Sequence, residues 1–457
     1  MEILAIVPGI IAAIVTFRKS PQYAFLNVYL PVFLLLPDYY RWTVPGIPKV
    51  TFNQGAILPI AFAFLMREGH KWKFSLGDVL VFGLVAWNGL SEYVNAGYKE
   101  AQNLTFDNIS WILLPYVLAK GMIEPSGLRV PFAKRYVFLL FLVAVTAVYE
   151  FKFAVVPYKP FFDRLFPWQG TGWVTTFRYG FARIAGPYGH AILAGIMLVS
   201  GFRIHRWLEW SGHWEKSFRH FPKLRLSKGM IIRLGLIAGM VMTFARGPWI
   251  GGVLAAVVTA IGRAKDRKKA LLVVLGLLLF VGGPAMFYLL SYASVSRQEA
   301  KTVSQESAAY RKELMDRYVE IALEKSILGW GRNTWPKILG MPSIDNYYLL
   351  LALMHGVVAV GFLVSIILVM SVRLFLHSMR QPPPVLRGST LGFTLLGIYL
   401  AIGFSIATVF MGDQVIPMFY LITGWSEGYL LSGRESAGSA PAAVASSKPF
   451  SFRRILK

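Results

Sequence analysis

The 457-residue sequence has no cysteine, which excludes a disulfide, a thiolate nucleophile and any cysteine-held zinc or iron–sulfur centre. It is also poor in charge: Asp, Glu, Lys and Arg together make 15% of the chain against 55% hydrophobic residues, and mean hydropathy is +0.52. A composition this apolar excludes a soluble enzyme. Three motifs are missing as well. There is no Asp-x-Asp pair, no His-x-x-x-His and no glycine-rich phosphate loop followed by Lys. Neither a metal-dependent nucleotide-sugar transferase nor an ATPase is signalled, and no metal or cofactor is expected.

What the sequence has instead is apolar runs of roughly 15 to 25 residues, the length a helix needs to cross about 30 Å of hydrocarbon. Spans are expected near 2–17, 23–37, 52–66, 76–94, 107–123, 136–152, 188–205, 230–245, 248–262, 270–290, 346–376, 390–411 and 415–432. The fold class is therefore an all-α polytopic membrane protein with about twelve or thirteen crossings. The opening run, MEILAIVPGIIAAIVTF, lacks a basic leader and a small-residue cleavage site, and Arg18 and Lys19 follow it directly. It reads as a retained first span.

The organisation that follows is N-terminal transmembrane helices over 1–152, an extracytoplasmic loop over 153–187, and transmembrane helices with a hairpin at Arg246 over 188–290. A long extracytoplasmic loop covers 291–345, C-terminal transmembrane helices cover 346–432, and a disordered basic cytoplasmic tail covers 433–457. The net charge of +24 arises from 47 Lys and Arg against 23 Asp and Glu. The basic residues crowd alternate loops, for instance Lys120, Arg129, Lys134 and Arg135, and Arg263 to Lys269. That alternation assigns the excess to topology and anionic lipid rather than nucleic acid, with the N-terminus extracytoplasmic and the C-terminus cytoplasmic. Within 291–345, Tyr310, Leu314, Tyr318, Ile321 and Ala322 recur at helical spacing between charged residues. This predicts an amphipathic helix lying on the outer leaflet.

Ionisable groups at the rim of a bundle are costly, so each calls for an account. Arg178 and Arg183 stand in FRYGFARIAGPYGH, Arg246 in the tight turn TFARGPW, and Arg311 in SAAYRKEL. By the expected topology all four lie on one side of the membrane. Each has an ordinary reading as an interfacial anchor or a solvated loop or helix residue. The sharper reading is a set of planar forks that bind phosphate. Asp345 and Asn346 open the eleventh span, where Asp345 could cap the helix or take a proton from an acceptor hydroxyl. His190 and His355 are read as buried, satisfied histidines, the other five as loop residues.

Four segments carry a resemblance: RIAGPYGHAILAG (183–195), TFARGPWIG (243–251), YRKELMDRYVEIALEKSILGWG (310–331) and DNYYLLLALMHGVVAVG (345–361). In order, spacing and sidedness they resemble the O-antigen ligase and O-antigen polymerase group of membrane glycosyltransferases, over roughly the C-terminal 60% of the chain. The resemblance implies a GT-C-like, metal-independent enzyme of the bacterial inner membrane, its active site extracytoplasmic. Its donor would be a glycan on undecaprenyl pyrophosphate, and its acceptor another lipid-linked glycan or a lipid A core sugar. It further implies contact with membrane lipid and with polysaccharide export or chain-length machinery. Arg246 and Arg311 would hold the pyrophosphate, Arg183 would support donor binding with Arg178 beside it, and Asn346 and Tyr347 would position the acceptor. Asp345 stands where ligases have histidine, which favours the polymerase or exopolysaccharide branch. A lipid-linked glycan transporter or flippase is the competing class, disfavoured because the charges gather at one rim rather than at the midplane.

Overall fold

The computed structural model describes residues 2–170, 174–214, 227–341, 343–381, 391–412 and 414–438. Helices make up nearly all of the regular structure, as a hydrocarbon solvent demands, because a helix satisfies its backbone polar groups within one segment. Strands among the described residues are two short antiparallel pairs, Arg41–Trp42 with Val50–Thr51 and Phe177–Arg178 with Phe181–Ala182.

In chain order the helices are α1 (Val7–Arg18), α2 (Pro21–Leu35), α3 (Phe52–Glu68), α4 (Leu76–Asn108), α5 (Leu114–Met122) and α6 (Arg129–Phe153). There follow α7 (Lys159–Leu165), α8 (Ala191–Trp210), α9 (Lys228–Met242), α10 (Arg246–Arg263), α11 (Arg267–Leu277) and α12 (Gly283–Ala293). The series ends with α13 (Val303–Glu324), α14 (Tyr347–Arg380), α15 (Leu391–Ile406) and α16 (Val415–Gly438). Each expected span falls on a helix. Four are long and apolar enough to cross a membrane by length and composition alone: α6, α8, α14 and the run from Arg267 to Ala285. On that last run Leu279 and Phe280 are 69% and 77% exposed, apolar surface that suits lipid and not water.

The chain is an all-α polytopic membrane protein. Its core is built where α10 packs on α15, α16 on α5, and α14 on both α4 and α15, with α6, α8 and α9 packed together. Trp425 of α16 is fully buried, edge-on to Phe132 of α6 at 5.1 Å.

Three expectations need correcting. Residues 95–106 were expected to connect two spans, yet apart from a break at Gly97 they are helical and belong to α4. The chain turns at Gly97 alone (φ 80°, ψ −178°), and burial of Ala101 and Leu104 beyond it keeps the helix going. Helix α13 forms over the expected residues but does not offer its apolar side to lipid. Leu314, Tyr318 and Ala322 are buried against Met341, Ile344 and, on α14, Leu349 and Leu353. The segment between α13 and α14 folds under that side, pinned by Tyr318, whose hydroxyl donates to Met341 O (3.2 Å) and accepts from Ile338 N (2.9 Å). Finally, α16 continues to Gly438, so the first residues of the expected disordered tail are helical; the rest of it, 439–457, lies outside the described residues.

Helix α14 is interrupted at Gly356 (φ 77°). The carbonyls this break releases are taken up by the strap that follows α13: Trp330 N donates to Leu353 O and Gly331 N to Met354 O, both at 2.8 Å. In return Val357 N donates to Ser326 O at 2.7 Å. A Cβ at position 356 would lie 1.9 Å from Ile327 O, on a backbone conformation that disfavours side chains. Gly356→Ala is therefore expected to cost roughly 3 kcal/mol or more. The check is thermal unfolding of the solubilised protein with protease nicking of the strap; an unchanged melting temperature would contradict it.

Candidate active site

The site is anchored from below by a carboxylate. Glu150, near the end of α6, is fully buried and accepts Ala185 N (3.0 Å) and Gly186 N (2.9 Å). Gln414 adds a bond from its amide to Pro187 O at 2.9 Å. Together they fix the loop 183–190, which carries Arg183 and His190. Sequence reasoning passed over Glu150, although an acid inside the apolar run AVYEFKF is the kind of residue a bilayer makes costly. Glu150→Ala would leave two buried N–H groups unpaired, an expected loss of about 2–4 kcal/mol at about 1–2 kcal/mol for each. Glu150→Gln retains one acceptor oxygen and should lose less; differential scanning of the two variants separates them.

The arginines are set on two neighbouring backbone turns. Arg178 is in the hairpin whose two turn residues, Tyr179 (φ 54°) and Gly180 (φ 80°), are left-handed. Its Nη1 donates to Phe244 O at 2.7 Å. Arg183 is 7% exposed and its Nε donates to Thr243 O at 3.0 Å, while Nη2 is buried with no hydrogen-bond partner among the described residues. Both arginines thus grip the turn between α9 and α10. In that turn Phe244 has φ 46°, a strained value for a side chain of its size. Stacking on Phe181 at 5.8 Å and Phe151 at 6.4 Å holds it there. Arg246 follows at the first position of α10, exposed, with Nη2 donating to the Tyr179 hydroxyl.

Arg311, on α13, is the fourth member. Its Nε is buried and has no hydrogen-bond partner among the described residues. Burial, then Arg246 and Arg311, push the Arg178 guanidinium below its ordinary range, against an opposing effect of Tyr179. Arg183 is pushed down to about 10 by burial and then by Arg178. Both remain cationic at neutral pH. Among the described residues no carboxylate pairs with Arg178, Arg183 or Arg311. Like charges held near one another without counter-charge are costly, and an anion among them lowers that cost.

Asp345 is the acid nearest this group along the opening of α14. Its Oδ1 accepts from Ser343 Oγ at 2.9 Å, and its charge reaches both Tyr310 and His190. Burial, with Asp345 second, raises the Tyr310 hydroxyl. The cap of α14 is not Asp345. Asn346 holds that position, its Oδ1 accepting Tyr348 N (3.0 Å) and Leu349 N (3.2 Å), and its Nδ2 rests on Met315 Sδ at 3.4 Å. Asn346 wins because its extended backbone (φ −155°, ψ 111°) sits one residue before the helix. Asp345 is left with a carboxylate that capping does not consume. Tyr347 is half-buried and packs on the main core.

Of the histidines, His355 is buried in α14 with Nδ1 3.0 Å from Ser91 Oγ. His205, expected in a loop, is instead fully buried in α8. His190 caps α8 and lies within the electrostatic reach of both Arg183 and Asp345.

The fold is that of a polytopic helical membrane protein, in which Arg178 lies within electrostatic reach of Arg183, Arg246 and Arg311, and His190 within reach of Arg183 and Asp345. Residues 231–364, from α9 into α14, match the family model described as O-antigen ligase. The match agrees with the family resemblance read from the sequence and covers three of its four motifs, those at 243–251, 310–331 and 345–361. The matched segment includes Arg246, Arg311 and Asp345 to Tyr347, whereas Glu150, Arg178, Arg183 and His190 precede it. No curated protein matches the chain.

Proposed function

We propose that this protein is a metal-independent inverting glycosyltransferase. It moves a glycan from undecaprenyl pyrophosphate to an acceptor sugar hydroxyl at the outer face of the inner membrane, most nearly as an O-antigen or exopolysaccharide polymerase. The observation that supports this is the convergence of Arg178, Arg183, Arg246 and Arg311, three of them without a carboxylate partner among the described residues. Guanidinium forks match phosphate oxygens, and several together do what a divalent cation does elsewhere, stabilising charge on a departing diphosphate.

In this reading the acceptor oxygen bonds to the anomeric carbon as the bond from that carbon to the phosphate oxygen breaks. The bonding electrons leave with the lipid diphosphate, where the arginines receive the charge. The acceptor hydroxyl proton passes to the Asp345 carboxylate and from there to water. Displacement from the opposite face inverts the anomeric centre. Asn346 and Tyr347 border the acceptor side, and the polyprenyl tail stays in lipid. The ligase alternative, with a lipid A core sugar as acceptor, uses the same chemistry; aspartate at 345, where ligases resembled by the chain have histidine, favours the polymerase.

The test is a vesicle assay with lipid-linked glycan purified from bacterial membranes, run with and without EDTA. A ladder of products insensitive to the chelator is expected, and Arg246→Ala should lower turnover about 10²–10³-fold. A single transfer product would point to a ligase. Glycan moved across the bilayer with its linkage unchanged, or full turnover by Arg246→Ala, would overturn the proposal.

A further inference from the structure

Within electrostatic reach of both Arg183 and Asp345 is a side chain to which the mechanism so far gives no task. His190 is the residue before α8 and caps it through Nδ1, which accepts Ile192 N at 3.2 Å. That bond decides the chemistry of the ring. A ring nitrogen accepting a backbone N–H carries no proton, so the neutral imidazole must hold its proton on Nε2. Nε2 has no hydrogen-bond partner among the described residues, and the ring is only half-buried. The ring is held against Phe410, centroids 6.2 Å apart. The loop beneath it is fixed by Glu150 and Gln414. The result is a rigid, uncharged N–H donor beside Arg183, whose own Nη2 is buried without a partner.

We infer that His190 is a further catalytic residue, its Nε2–H donating a hydrogen bond to an oxygen of the lipid diphosphate as that group leaves. This rests on the proposed glycosyl transfer and adds a contact to it. With Nδ1 engaged in the cap, the ring has no lone pair to offer a hydroxyl proton, so it cannot be the base. That task stays with Asp345. A donor fixed in place before charge develops is the arrangement that favours a transition state over bound substrate.

The cap and the donor can be separated by substitution. His190→Asn and His190→Ser both supply a side-chain oxygen that caps α8, and neither reaches as far as Nε2. The probe is undecaprenyl diphosphate, whose binding to the full chain in nanodiscs is compared with that of undecaprenyl monophosphate. Both variants should keep the wild-type melting temperature and bind the diphosphate about tenfold or more weakly, the effect of losing one hydrogen bond to a charged group. The monophosphate should be affected less.

Wild-type affinity in both variants would overturn the inference, as would a fall in melting temperature that accounts for the lost binding. Arg246→Ala is the reference. If it binds the diphosphate normally, the proposed donor site fails; if it weakens binding while both His190 variants do not, only the role of His190 fails.

Discussion

Arg311→Ala should lower glycan transfer about 10²–10³-fold, the loss typical of removing one preorganised group that receives developing charge, with little change in stability. The second half of that expectation is the informative one. Among the described residues Arg311 Nε makes no hydrogen bond, and no carboxylate is paired with the side chain. Its removal breaks nothing internal and relieves repulsion with Arg178. The side chain that holds α13 in place is Tyr318, bonded to both Ile338 and Met341, and it is untouched. Arg311→Lys keeps the charge but loses the planar fork, so partial recovery is expected if two phosphate oxygens are gripped together. Full activity in Arg311→Ala with a raised melting temperature would reduce the residue to a solvated helix position.

The helices were readable because a bilayer makes the hydrophobic run and the helix nearly the same object. Each expected span has a helix on it, and the family resemblance came from short segments that later fell largely within the matched region. What escaped were features that depend on contacts distant in sequence. Gly97 and Gly356 interrupt helices at single residues, and nothing in hydropathy distinguishes a glycine inside a helix from one that breaks it. The apolar side of α13 has the same spacing whether lipid or protein covers it; the cover is Met341 and Ile344 together with Leu349 and Leu353 of α14. Glu150 was visible as an isolated acid, but its bonds to Ala185 and Gly186 link positions more than thirty apart in the chain. His190 looked like any core histidine until its cap on α8 and its electrostatic reach to Arg183 and Asp345 were seen together.

Asp345→Asn should lower turnover about 10²–10⁴-fold, the range for loss of a positioned general base, and leave the fold intact. Two observations separate catalysis from structure here. Asn346 performs the cap of α14, so the substitution does not release the helix end. The bond from Ser343 Oγ to Oδ1 at 2.9 Å survives, because the asparagine oxygen accepts it equally well. What disappears is the capacity to take a proton. Asp345→His restores that capacity in another form: imidazole is a base only when neutral, so its rate should climb as pH rises through about 6.5, the ordinary value for histidine. Undecaprenyl diphosphate binding should stay near wild type in Asp345→Asn, since the carboxylate serves the acceptor and not the leaving group. A variant that turns over normally, or one that loses diphosphate binding along with activity, would remove Asp345 from the proton path.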